Sequence, residues 1–341
     1  MNIMAHRRKR RIDWHWLRSI TETSLIKSGK FPGMVNVDGK MEWIESGLYH
    51  ENYRFRISWT DLHKKWIEKP LMLRISSQNS PLRSRDEAGN YLNREAKTLQ
   101  RLKNAGLRFQ TPELICRVKP DSHHPIGLIE TWVRGIPLTS YKGSIHQDRI
   151  IQTIAEVDVA VHQLETKQFD HLKAFENSKA HILSELSSLS PMLFKEFSTS
   201  LRVKEWILSR LPENRPSVML HGDLLPQNIL CYEARDEWRV AVIDWEFAEI
   251  GDPASDLAIV TRGDRKLMGI KNGLDLLVEN YRLAGGIELS TADVRIHEML
   301  LFLNWLWDSA EAEKKGRRRG HGPDHYEERL KSLLRRAEKS D

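Results

Sequence analysis

The order of apolar and polar residues divides the chain into a strand-rich first part and a helix-rich second part. Short alternating or apolar runs predict the strands of a small antiparallel sheet, at 41–46, 53–57, 71–75 and 125–129. Residues 83–105 carry apolar side chains at helical spacing, so we expect an amphipathic helix there. Beyond Gly135 the spacing is mainly helical, with a strand-rich interruption at 217–243, and the predicted helices are 147–165, 173–187, 192–210, 266–284 and 291–312. Strands and helices in separate blocks predict an α+β fold.

Composition and charge exclude several classes of protein. No run of eighteen apolar residues occurs, and the basic opening at 7–11 leads into a segment too polar for a signal peptide, so we expect a cytoplasmic protein without membrane association. Cys116 and Cys231 lie far apart and outside any zinc-binding pattern. The net charge of +6 comes from two basic runs, 7–11 and 314–319; without them, 43 basic residues stand against 47 acidic ones. Neither run is interleaved with aromatic residues, which disfavours a nucleic-acid partner.

The segment from 217 to 246 carries the clearest chemistry. Two strand-like runs, 229–232 and 238–243, are joined by a short polar turn and predict a hairpin. Asn228 precedes the first strand and Asp244 follows the second, so an antiparallel hairpin brings the two together. Carboxamide and carboxylate oxygens are suited to a hard cation such as Mg²⁺.

Asp223 lies on the same loop, five residues before Asn228, and can face such a metal without binding it. The spacing from His221 to Asn228, followed by a strand and Asp244, matches the catalytic loop of kinases. Phosphoryl transfer requires this arrangement because the protein must hold metal on the phosphates and orient the attacking hydroxyl. Asp223 and Asn228 could otherwise be ordinary turn residues.

Three motifs in this order, HGDLLPQNIL, IDWE and GDPASDLA, resemble the aminoglycoside phosphotransferase and choline kinase family. The resemblance covers roughly 40–310 and implies a bilobal, protein-kinase-like fold. It would comprise an N-terminal extension at 1–34, a nucleotide-binding N-lobe with a small antiparallel sheet at 35–133, and a larger, mainly helical C-lobe for catalysis and substrate binding at 134–341. The basic segment 314–319 lies within the C-lobe.

The resemblance also implies roles for individual residues. Asp223 is expected to be the catalytic base, with Asn228 and Asp244 as Mg²⁺ ligands and His221 as a supporting residue of the loop. Asp256 is expected to brace the catalytic loop or, alternatively, to be a plain acid in the first turn of a helix.

The nucleotide side of the site depends on weaker patterns. Glu95 lies on the apolar stripe of its predicted helix, where a carboxylate needs a partner. Arg74 on the neighbouring strand is the candidate, and such a pair matches the ion pair that positions ATP phosphates in kinases. The alternative is an exposed arginine and a glutamate at the helix edge. Further candidates are Gly47 and Asn52 in a phosphate loop, and Glu130 and Trp132 in a hinge that holds adenine.

We therefore expect a phosphotransferase that uses ATP, or GTP, with Mg²⁺ to phosphorylate a hydroxyl of a small molecule, as a monomer or homodimer. Two alternatives remain. One is a protein kinase, although only FAEI lies between IDWE and the GDP motif, which is too short for an activation segment. The other is a kinase-like protein that binds nucleotide without turnover, although Asp223, Asn228 and Asp244 are all present.

Overall fold

The computed structural model places most of the chain in two compact units. The described residues are 14–31, 35–44, 50–76, 85–119, 126–141, 147–212, 215–234, 237–263, 267, 270, 272–316 and 320–340. The first unit comprises Met1–Asn104 and Thr111–Val133, and the second comprises Ala105–Gln110 and Arg134–Asp341.

The first unit contains a five-stranded antiparallel sheet and two helices. The strands are β1 (Asn36–Ile44), β2 (His50–Thr60), β3 (Trp66–Ser76), β4 (Leu114–Val118) and β5 (Gly127–Thr131), in the order β1-β2-β3-β5-β4. The helices are α1 (Trp14–Ser28) and α2 (Arg85–Leu102). Each neighbouring pair of strands is antiparallel, as expected from the sequence.

The core of this unit forms between the sheet and helix α1. Tyr53, Leu71 and Leu73 alternate with more exposed residues along β2 and β3 and are fully buried. Leu17 and Leu25 of α1 are fully buried in the same cluster. Helix α1 falls within the range expected to form an N-terminal extension, and its apolar face packs into the core of the first unit. On α2, the predicted apolar stripe is buried, at Leu92, Ala96, Leu99 and Leu102.

The second unit is mainly helical and contains two small antiparallel sheets. Its helices are α3 (Gln147–His162), α4 (Ser178–Ser188), α5 (Pro191–Glu196), α6 (Ser198–Leu208), α7 (Ala254–Thr261), α8 (Gly273–Leu283), α9 (Thr291–Lys314) and α10 (Pro323–Ser340). Its strands are β6 (Ile136–Pro137), β7 (Val218–Leu220), β8 (Ile229–Ala234), β9 (Glu237–Val242) and β10 (Glu249–Gly251), in sheets β6-β8-β9 and β10-β7. Ala105–Gln110 lies within the range expected for the N-lobe but joins this unit, since Gln110 exchanges two 2.9 Å backbone hydrogen bonds with β9.

The helical core of the second unit lies around α9 and α10. Leu303 and Leu306 of α9 are fully buried with Leu330 and Leu333 of α10. A capping box, in which Ser290 and Asp293 exchange hydrogen bonds, fixes the beginning of α9. The run predicted as one helix at 192–210 is two helices, because the chain turns extended at Phe197 between α5 and α6.

Short connections hold β10 close to β7. Glu249 of β10 pairs with Leu220 of β7, and a single 3₁₀ turn at Trp245–Phe247 separates Asp244 from β10.

The antiparallel sheet of the first unit and the helices of the second confirm the predicted α+β class. Across the described parts of the chain, no helix is both long and apolar enough to cross a membrane.

Candidate active site

The predicted hairpin is confirmed by the pairing of β8 with β9. Ile229 pairs with Val242, and the N–H of Ile243 donates to the carbonyl oxygen of Asn228 at 3.0 Å. Asn228 and Asp244 therefore lie just beyond the paired ends of the two strands. The hairpin brings together the two residues that the sequence predicted as neighbours.

The loop from His221 to Asn228 is held by hydrogen bonds of its own. Asn228 Nδ2 donates to the carbonyl oxygen of Asp223 at 2.8 Å and to Asp223 Oδ2 at 3.1 Å. The N–H of Leu225 also donates to the Asp223 carbonyl, at 2.7 Å. Because the amide nitrogen of Asn228 is used toward Asp223, its Oδ1 is the atom left to act as a metal ligand.

Asp256 fixes the beginning of this loop. It lies in the first turn of α7 with no exposed surface, and its two oxygens accept the N–H groups of His221 and Gly222, each at 2.8 Å. Of the two roles considered for Asp256, the contacts agree with the brace, since its carboxylate bonds outside its own helix. Gly222 has φ +78°, and a Cβ there would lie 2.2 Å from the carbonyl oxygen of Phe247, so only glycine fits.

His221 joins the loop to the residue before Asp244. Its Nδ1 accepts the N–H of Asp223 at 3.2 Å, and its Nε2 lies 3.1 Å from the carbonyl oxygen of Ile243, to which it donates. Burial lowers the pKa of His221, which agrees with a neutral ring that carries its hydrogen on Nε2. The ring also packs against the fully buried Trp245, with 4.5 Å between centroids. His221 thus acts as an internal brace.

Asp223 has the electrostatic environment of a proton acceptor. Burial and the negative charge of Asp244 raise the pKa of Asp223 to about 7, against the opposing effects of Arg262 and the Asn228 hydrogen bond. Arg262 Nη2 lies 3.5 Å from Asp223 Oδ1. Arg262, which no sequence motif indicated, reaches the loop from the C-terminal end of α7 in a left-handed conformation (φ 44°).

Asn228 and Asp244 fit a hard divalent cation, because both offer oxygen atoms and Asp244 supplies charge. Asp244 has φ 72° and ψ 58°. This left-handed conformation is unfavourable for a residue with a Cβ, and such conformations are concentrated at functional sites.

In the first unit, the predicted ion pair between Arg74 and Glu95 is present, with Arg74 Nη1 hydrogen-bonded to Glu95 Oε1. Glu95 is fully buried and Arg74 nearly so. Asn52 of β2 pairs with Arg74 of β3 across the sheet and is also buried. The structure therefore brings three of the predicted nucleotide-binding residues together within this unit.

The other predicted nucleotide-binding residues lie at the end of β5. Glu130 is buried there, opposite Met72 of β3. Trp132 follows the strand, donates its N–H to the carbonyl oxygen of Pro70 at 3.2 Å, and lies under the Arg54 guanidinium, 4.7 Å from the ring centroid. Gly47 lies outside the described residues.

Comparison with solved structures shows a shared fold. The GDP and kanamycin complex of APH(2")-IIia superposes with a TM-score of 0.61 at 15% identity, covering 96% of this chain and 99% of that one. The GDP complex of wild-type aminoglycoside 2'-phosphotransferase-IIIa gives 0.59 at 16% identity, covering 95% and 98%. A choline/ethanolamine kinase family protein from Mesorhizobium loti gives 0.52 at 18% identity, covering 92% and 95%. At these identities the likeness concerns the fold alone.

Comparison with curated proteins finds partial similarities to longer chains. Acyl-CoA dehydrogenase family member 11 of Pongo abelii is 38% identical over 58 residues, which are 17% of this chain and 7% of that protein. Family member 10 of Mus musculus is 23% identical over 212 residues, 56% of this chain and 20% of that protein. This chain therefore matches a fifth or less of these relatives. The family model described as "Phosphotransferase enzyme family" matches residues 45–313, which include the loop at 221–228 and Asp244. The chain belongs to this phosphotransferase enzyme family.

Proposed function

We propose that this protein transfers the γ-phosphoryl group of ATP to a hydroxyl group of a small molecule, with Asp223 as the catalytic base. The observation that carries the proposal is the braced loop at 221–228. That loop places the Asp223 carboxylate beside Asn228 and Asp244, which both offer oxygen atoms to a cation. A carboxylate held beside the metal and the acceptor hydroxyl would take up the hydroxyl proton in the transition state.

In the proposed reaction, Asp223 accepts the proton of the acceptor hydroxyl as its oxygen bonds to the γ-phosphorus. The bond between that phosphorus and the bridging oxygen breaks, and ADP leaves. Arg262 supports this role of Asp223 because its positive charge, 3.5 Å away, opposes full protonation of the carboxylate at neutral pH.

Asn228 and Asp244 would hold Mg²⁺. When bound, Mg²⁺ would neutralise charge on the transferred phosphate. The hydrogen bond from Ile243 to Asn228 fixes the spacing of these two residues along the hairpin, so the ligands are pre-positioned. We propose that Arg74, oriented by Glu95, contacts the nucleotide phosphates, with Asn52 beside it. Two of the compared proteins were solved with GDP, so GTP is the alternative donor.

The acceptor is proposed only as a small molecule with a hydroxyl group. Kanamycin is the compound bound to one compared protein, and choline or ethanolamine appears in the family name of another. A protein acceptor is less well supported, because the connection from Asp244 to Gly251 consists of one 3₁₀ turn and the paired strand β10. No separate segment is available there to bind a peptide as in protein kinases.

The experiment is a screen of hydroxyl compounds, including amino alcohols, sugars and aminoglycosides, coupled to ADP or GDP release with and without Mg²⁺. We expect Mg²⁺-dependent turnover of at least one acceptor and a loss of about 100-fold or more in Asp223→Asn. The matched control is Asp275→Asn, which changes an exposed aspartate of the same unit and should leave turnover intact.

Two results would contradict the proposal. Full turnover by folded Asp223→Asn would exclude Asp223 as the base. Thermal stabilisation by ATP and Mg²⁺ without turnover of any acceptor would instead support nucleotide binding without chemistry.

A further inference from the structure

Two carboxylates and a histidine are buried together beside the catalytic loop. Asp158 and His162 are four residues apart on α3 and therefore share one face of the helix, while Asp256 comes from α7. Each offers one ligand atom, and these three atoms lie within 4.8 Å of one another. Asp158 and Asp256 have no exposed surface, and His162 is 6% exposed.

Asp158 lacks the contacts that a buried carboxylate requires. Within the described residues, neither of its oxygens has a hydrogen-bond partner, and no lysine or arginine forms an ion pair with Asp158 or Asp256. Asp256 is stabilised by two backbone N–H groups, but Asp158 has no equivalent. Two buried carboxylates this close cannot both stay charged on their own, so a proton or a metal cation must accompany them.

His162 is oriented as a metal-bound imidazole would be. Its Nδ1 lies 2.8 Å from the hydroxyl oxygen of Tyr281, which can accept an Nδ1–H. In that tautomer Nε2 has a free lone pair on the side of Asp256, whose Oδ2 is 3.4 Å away. A hydrogen bond that fixes the second ring nitrogen is the usual outer contact of a histidine ligand.

A second group of one histidine and two carboxylates lacks a histidine nitrogen with an available lone pair. His181 lies near Glu185 and Glu249, with the three ligand atoms also within 4.8 Å of one another. However, Nδ1 of His181 accepts the N–H of Asp252 at 2.9 Å, so its Nε2 must carry a hydrogen. That nitrogen lies 3.4 Å from Glu249 Oε1 and 3.7 Å from Glu185 Oε1, and it carries a hydrogen in place of a lone pair for a metal.

We propose that Asp158, His162 and Asp256 form a binding site for a divalent transition-metal cation such as Zn²⁺, separate from the proposed Mg²⁺ site. Imidazole nitrogen and carboxylate oxygen are both ligands that Zn²⁺ accepts in proteins. The second oxygen of Asp158 or a water molecule would complete the coordination. The cation would link α3 to Asp256 and, through Asp256, to the backbone of His221 and Gly222. Its role would be to hold the catalytic loop in place.

The test uses the full chain, stripped with a chelator, exposed to Zn²⁺ without nucleotide, and freed of unbound metal. We expect the zinc content of Asp158→Leu to be lower than that of the wild type by about one ion per chain. Zn²⁺ should also raise the Tm of the wild type, but not of Asp158→Leu, by a few degrees. The matched controls are Glu185→Gln, in the second group, and Asp244→Asn, at the proposed Mg²⁺ site. Both should keep the zinc ion that Asp158→Leu loses.

Equal zinc content in the wild type and Asp158→Leu would overturn the proposal, as would loss of the ion in either control. If Asp158→Leu does not fold, anomalous scattering from a Zn²⁺-treated wild-type crystal tests whether zinc occupies the site. A peak bounded by Asp158, His162 and Asp256 would support the site, and its absence would mean that Asp158 is simply a protonated acid.

Discussion

Replacement of Asp256 should release the beginning of the catalytic loop and destabilise the second unit. In Asp256→Ala, the N–H groups of His221 and Gly222 lose the acceptors that they have at 2.8 Å on the fully buried Asp256. A hydrogen bond to a charged group contributes about 1.5–3 kcal/mol, so the two bonds together predict a loss of about 3–6 kcal/mol in the free energy of unfolding. Asp256→Asn retains one acceptor oxygen and should lose roughly half as much.

The assay is urea unfolding in the presence of EDTA, so that bound metal does not contribute. The loss is read from the shift of the unfolding midpoint at an unchanged slope. Asp275→Ala is the matched control, because Asp275 is an exposed acid in the first turn of α8. Its removal should decrease stability by about 0.3–1 kcal/mol through the helix dipole.

The reasoning would be refuted if Asp256→Ala were no more destabilised than Asp275→Ala. Asp256 would then be an ordinary first-turn acid, the alternative left open by the sequence. A loss in Asp256→Asn as large as in Asp256→Ala would show that charge, rather than the number of accepted hydrogen bonds, determines the effect.

Three further predictions concern other buried groups. Arg74→Met should destabilise the protein by about 3–5 kcal/mol in urea, because it leaves Glu95 charged and buried, and adding Glu95→Leu should recover part of the loss. Gly222→Ala should decrease the Tm far more than Gly106→Ala, because both have positive φ but only a Cβ at Gly222 meets backbone. Burial would raise the pKa of Asp252, but hydrogen bonding and charge from its basic neighbours lower this pKa below the ordinary value of 3.8. The charged Asp252 carboxylate therefore stabilises the folded protein fully above that value, and this stabilisation is lost as the pH falls below it. In acid, the urea unfolding midpoint should consequently change less with pH in Asp252→Asn than in the wild type.

The catalytic loop and hairpin could be predicted because their contacts are local in sequence. Asn228 and Asp244 come together through two adjacent strands and one turn, and alternating runs of residues reveal such strands. The Arg74–Glu95 pair could also be predicted, since a carboxylate on an apolar helical stripe requires a cation nearby.

Other parts of the fold and site depend on contacts that no short pattern reveals. Arg262 reaches Asp223 across 39 positions of sequence, and His162 reaches Asp256 across 94. Strand β4 was missed because its residues, LICRV, form neither a strict alternation nor a continuous apolar run. Helix α10 was missed although its buried residues, 330, 333, 334 and 337, have helical spacing, because the surrounding charged residues dominate the segment.

The pairing of β10 with β7 has a consequence for control of the enzyme. The strand that leads away from Asp244 is bonded to the strand that leads into His221, so both approaches to the loop are anchored to each other. Many kinases switch activity by ordering a long loop at this place after covalent modification. Here the connection is short and paired along β10, so it offers no long loop for a switch of that kind. A phosphotransferase built in this way would not depend on ordering of this segment, and the supply of acceptor, nucleotide and metal would set its rate.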